Sequence, residues 1–175
     1  MAFTTPGTAV AGDVLTAAFW NTNVRDNMVE LAPFFTGWTS WTPALTGSGF
    51  TITQGNSTVV GKYLKVGRFV TFWAQWVFGS TTSFGAGVGG LSLTIPVQAA
   101  DARNLSGVQS ILLDNGTAHY PGLNRAVDNT TTIVNITSIL SSGTYSQQGS
   151  ISSTIPFTWV VNDAVYWSGT YEAAS

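Results

Sequence analysis

Residues 68–78, RFVTFWAQWVF, alternate between two kinds of face without a break. Val70, Phe72, Ala74, Trp76 and Phe78 fall on one side of an extended chain, and Phe69, Thr71, Trp73, Gln75 and Val77 on the other. Successive side chains of a strand point to opposite faces, so this pattern predicts a strand whose first set is buried in a core. The preceding STVVGKYLKV (57–66) alternates as well, and Gly67 between the two runs predicts a hairpin. The second face is too aromatic for open water, yet Thr71 and Gln75 make it too polar for a deep interior. A face of that kind predicts cover, either by another subunit or by the N-terminal linker of the same chain. The residues leave both open.

The rest of the chain extends the period-two reading. FTIT (50–53), LSLTIPV (91–97), SGVQSILLD (106–114), TTTIVNITSIL (130–140), GSISSTIPFTW (149–159) and DAVYWSGTYEA (163–173) are further strand candidates. In the last of them Val165, Trp167, Gly169 and Tyr171 share one face, and Tyr166, Ser168, Thr170 and Glu172 the other. Polar, Gly-rich runs at 79–90, 114–117, 120–125 and 141–149 read as turns. Eight or so short strands with such turns predict a mainly β fold, an antiparallel β-sandwich knob of jelly-roll type. No fixed-period repeat is present.

One segment breaks the pattern. In LTAAFWNTNVRDNMVEL (15–31), Trp20, Val24, Met28 and Leu31 recur at helical spacing. Thr16 is placed to cap a helix starting at Ala17, and Pro33 to close it. A lone helix this short is not stable in water without a partner surface. Residues 1–14 read as an extended arm, and the aromatic-rich linker PFFTGWTSWTPAL (33–45) as a segment packed along the body or a neighbouring subunit. The expected division is therefore an anchoring or oligomerising segment, 1–36, and a β domain, 37–175.

Charge narrows the functional classes. Only 8% of the 175 residues are charged, against about 25% in ordinary soluble domains, and the net charge is −2. No basic stripe exists to neutralise phosphates, so nucleic-acid binding is not expected. No apolar run is long enough to span a bilayer, no charged-then-apolar leader opens the chain, and the Asn-x-Ser/Thr triplets at Asn56, Asn104 and Asn135 read as chance in so Asn-rich a sequence. There is no cysteine, which removes disulfides and thiolate metal sites. With 44% apolar residues and seven Trp, the surface must be uncharged-polar, buried against copies of itself, or both.

Catalytic patterns are sparse. The single histidine, His119, lies in NGTAHYPG with no positioned nucleophile or orienting partner in sight, and reads as a loop residue. The carboxylates form no spaced pair, and Asp114, Asp128 and Asp163 each flank a turn, where Asp commonly bonds its own backbone. No run of alternating Asp suits calcium, so no metal or cofactor is expected. GAGVGG (85–90) lacks the Lys-Ser/Thr of a phosphate loop and precedes a strand. Aromatics at turn tips, Phe84, Tyr120 and Tyr145, are the candidates for contact with sugar rings. The Trp residues at periodic positions read as core or interface.

Two stretches carry a resemblance. TTPGTAVAGDVLTAAFWNTNVRDNMVELAPFF resembles the N-terminal segment of small virion proteins of tailed bacteriophages, mostly those of actinobacteria, described as minor tail or head-fibre proteins. GKYLKVGRFVTFWAQWVFGSTTSFG, LSLTIPV and the closing NDAVYWSGTYEA resemble the body of the same proteins. The resemblance implies a fibre or knob domain, a homotrimer, held to other virion proteins through the N-terminal region. It carries no catalytic residues. The expected role is thus a non-enzymatic tail or fibre protein of the virion, contacting host cell-wall glycan. The alternatives are a capsid-bound head fibre or decoration protein and a small polysaccharide depolymerase. The expected interface comprises Trp20, Val24, Asn27, Met28 and Leu31 on the helix and Phe69, Trp73 and Val77 on the sheet. Asn27 in a three-copy seam would set register. A stripe through Met28 instead would lay the helix on another virion protein.

Overall fold

The computed structural model describes residues 4–12, 14, 16–101, 107–126, 133–142 and 145–174. Asp13, Asn104 and Asp128 lie outside them. The described chain is mainly β and antiparallel, as the alternation predicts. It comprises a helical segment over 17–36 and twelve strands: β1 (Thr39–Trp41), β2 (Leu45–Ser48), β3 (Ile52–Thr53), β4 (Thr58–Val66), β5 (Phe69–Val77), β6 (Ser83–Phe84), β7 (Gly90–Thr94), β8 (Gln109–Asp114), β9 (Ala118–Ala126), β10 (Ile133–Ser142), β11 (Tyr145–Gly149) and β12 (Ala164–Glu172).

One large sheet runs in the order β1-β4-β5-β12-β8-β9-β10-β7-β2, with β11 paired antiparallel to β10 off this path and a small β3-β6 pair apart. Laid flat, nine strands about 4.8 Å apart would separate the edge strands by about 38 Å. The edges are β1 and β2, which are consecutive in the chain. The Cα steps from Trp41 to Leu45 reach at most about 15 Å. The sheet must therefore curl until its two edges approach. Ala44, between them, bonds Thr94 of β7 through both backbone groups. The expected sandwich is realised as one curled sheet around a core.

The core is the inner face predicted from β5. Val70, Phe72, Ala74, Trp76 and Phe78 are buried, and Val165, Trp167 and Tyr171 of β12 join them. The β4–β5 hairpin turns at Gly67 and Arg68, where Gly67 has φ +55°. Trp41 of the linker pairs with Gly61 of β4 and meets Phe72 edge-on at 5.7 Å. Its indole lies where a Cβ on Gly61 would stand, so only glycine fits beneath it. Tyr171 closes one end: its hydroxyl donates to the Val97 carbonyl at 2.6 Å and accepts from the Val97 N–H at 3.1 Å. Buried Asp163 closes the other, its carboxylate accepting from the Val160 and Asn115 N–H groups, as its turn position predicts.

Four expectations from sequence change. Pro33 does not end the helix. It opens a last turn, Pro33–Thr36, where a missing N–H costs nothing, and Gly37 at φ +94° terminates it. YPGLNR is not a turn but part of β9. That strand pairs with β8 over 118–122 and with β10 over 122–126, so Pro121 sits where only one neighbour is laddered, the situation in which a strand accepts proline. Residues 149–159 do not form one strand; they make isolated bridges, Gly89 with Ile151 and Ser152 with Ile155, around a tight reversal. The expected turn 141–149 is largely strand, with β10 reaching Ser142 and β11 starting at Tyr145.

Candidate functional site

Two surfaces stand out, one on the helix and one on the outer face of the sheet. The helix begins as predicted: the Thr16 hydroxyl accepts from the Phe19 N–H at 3.2 Å. Ala17–Trp20 then widens into a π turn, Asn21–Arg25, before Asp26–Leu31. The N-terminal arm lies along one side of it. Asn23 Oδ1 accepts from the Gly7 N–H at 2.6 Å, and Asn27 bonds both backbone groups of Thr4. Asn27 is consequently only 7% exposed. The polar side of the helix is thus spent on the arm of its own chain.

The adjoining apolar face is uncovered. Trp20 is 55% exposed, Met28 66% and Phe35 86%, with Leu31 exposed and Val24 half-buried between them. The spacing of Trp20, Val24, Met28, Leu31 and Phe35 is that of one helix face. Asn27 does not belong to this stripe, which departs from the three-copy seam considered from sequence. The last turn, Pro33–Thr36, packs against β4 of the sheet. On the outer face of that strand Leu64 is buried outside the main core.

The linker therefore covers β4 and leaves the outer face of β5 partly open. Phe69 is 48% exposed, while Trp73 and Val77 are half-buried. Next to them the outer face forms a depression of about 600 Å3 across β5, β12, β8 and β9, a volume typical of small-ligand sites. Trp73, Gln109, Ile111, Pro121, Tyr166 and Ser168 line it. Register puts Trp73 opposite Ser168, Tyr166 opposite Ile111, and Ile111 opposite Pro121. No lining residue carries a charge. Ser110, Asn124 and Trp167 border it from strands whose side chains turn inward, and their Oγ, Oδ1 and Nε1 are buried without a hydrogen-bond partner on the core side.

The aromatics expected at turn tips are placed otherwise. Phe84 is 8% exposed, meeting Phe50, Trp76, Phe78 and Trp159 inside the core, and so is not presented to a sugar. Tyr120 lies in β9, half-buried against Phe157 at 5.2 Å. Tyr145 opens β11, opposite Ser142, and its side chain lies outside the described residues. His119 is exposed on β9. Among the described residues no three His, Asp or Glu side chains gather as a metal-sized group, and no helix is long and apolar enough to cross a membrane.

The depression was not readable from sequence. Tyr166 and Ser168 were visible as an outer face, but Pro121 fell in an expected turn. The adjacency of β8, β9 and β12 depends on non-local pairing.

No protein-family model matches the chain, and no curated protein matches it. Among solved structures the chain is similar to the Dettilon tailspike protein (gp208), with 14% identity over 78% of this chain and a TM-score of 0.49. The match spans 23% of that tailspike's length.

Proposed function

We propose that the chain is a non-enzymatic structural protein of a bacteriophage virion, of the minor tail or fibre kind. Residues 1–36 attach it to another virion protein, and the curled sheet projects toward the host surface. The observation that carries this reading is the bare stripe of Trp20, Met28, Leu31 and Phe35 on a helix whose own domain leaves it unpacked. Contiguous apolar surface of this kind marks a protein contact. The sheet, by contrast, closes a core without it. The sequence resemblance to phage virion proteins supports the same division.

The engagement of the Asn27 amide by Thr4, which turns it away from a seam, supports another virion protein as the helix partner. Self-association into a trimer then uses the sheet domain, at the exposed Phe69 that starts β5. Host contact gains strength from many copies rather than from one tight site. The test is incorporation into particles: chains with the stripe made polar should fold and fail to assemble. A reducing-sugar assay on host cell wall addresses the enzymatic alternative, and release of sugars would overturn the non-enzymatic role. Imaging of the virion separates tail from capsid attachment.

A further inference from the structure

We propose that the depression on β5, β12, β8 and β9 is a binding site for an uncharged saccharide. The idea rests on the host-contact half of the reading above and names its ligand class. Trp73 and Tyr166 are diagonal neighbours on one face, since Trp73 opposes Ser168, two residues along β12. Diagonal positions stand about 7–8 Å apart at the backbone. One pyranose ring in contact with both side chains fits that spacing, each contact needing about 3.5–4.0 Å. Gln109 and Ser168, exposed at the same site, supply amide and hydroxyl groups for ring hydroxyls.

The chemistry of the lining selects the occupant. An apolar segment would leave the Gln109 carboxamide and the Ser168 hydroxyl covered and unpaired, and buried polar groups left so are costly. A hydroxyl donates and accepts at once and suits both. The absence of charge in the lining argues against an acidic polymer. Lys62, opposite Trp73 on β4, is outside it.

The test uses the full chain on an array of neutral and acidic oligosaccharides, followed by titration of the best neutral hexasaccharide under tryptophan fluorescence. Tyr166→Ser and Trp73→Ala should each weaken binding at least tenfold, Lys62→Gln should leave it within twofold, and raising salt from 50 to 500 mM should leave it within twofold. Should Trp73→Ala fail to fold, exposed Tyr166 still decides. Binding confined to acidic glycans, no binding to any neutral glycan, or binding indifferent to both substitutions would overturn the site. So would conversion of an oligomer to monomer by Trp73→Ala, which would make the depression a contact between copies. Particle incorporation is read in parallel. A glycan-negative Tyr166→Ser chain that enters particles normally supports a saccharide site separate from attachment. Saccharide binding by a chain that never enters particles supports the site and defeats only the virion reading.

Discussion

The carboxamide of Asn27 grips Thr4 from both directions: Oδ1 accepts from its N–H at 2.9 Å, and Nδ2 donates to its carbonyl at 3.0 Å. One side chain thus substitutes for a strand partner at Thr4, beside the bond that Asn23 makes to Gly7. Asn27→Ala should release the arm. Each such bond contributes about 1 kcal/mol net, so opening of the arm should become roughly fivefold or more favourable. Hydrogen exchange checks this, with faster exchange expected at residues 4–7 and unchanged protection in β5 and β12.

Trp41 over Gly61 ties the linker to the sheet. Trp41→Ala should cost about 2–4 kcal/mol by opening a cavity beside Phe72. Gly61→Val should cost a similar amount by displacing the indole. Because both remove the same contact, the double variant should be less unstable than the sum, which urea unfolding of the two singles and the double will show.

The phenol of Tyr171 is bonded at both the N–H and the carbonyl of Val97. Tyr171→Phe should destabilise by about 1–3 kcal/mol, since both groups lose their partner. Burial also pushes the Tyr171 hydroxyl far above its usual value of 10.0. The sign follows from the neutral form being favoured in the folded chain: its stability is whole below about pH 10 and falls as pH rises beyond it, where the unfolded phenol ionises first. Thermal melts from pH 8 to 11 should show an alkaline decline that is shallower in Tyr171→Phe.

The proposed self-association contact is the exposed Phe69 at the start of β5. Light scattering should report a trimer for the native chain, a smaller species for Phe69→Ser, and an unchanged trimer for Trp73→Ala. A native chain that is a stable monomer would contradict the assignment.

Much of this architecture was legible locally. Alternation from Phe69 to Phe78 gave the buried face of β5 correctly, and Thr16 marked the helix start. The failures share a cause. Pro33 and Pro121 read as breakers because a proline's meaning depends on whether its missing N–H would have had a partner, and that is set by neighbours distant in sequence. Phe84 read as a loop-tip aromatic because its flanks are Gly, Ser and Thr, yet the loop folds inward and sets it edge-on to Trp159 at 5.3 Å. Asn27 and Met28 are adjacent, and periodicity alone could not say which faced outward. The arm, binding through backbone groups that carry no sequence signal, decided it.

The most direct test of the central claim is the copy number of the protein in purified particles, measured by quantitative mass spectrometry for the native chain and for Trp20→Ser/Met28→Ser/Phe35→Ser. These side chains are exposed, so the variant should melt within about 2 °C of the native chain. The account predicts that its copy number falls at least tenfold. A variant incorporated at the native copy number would contradict attachment through the helix stripe.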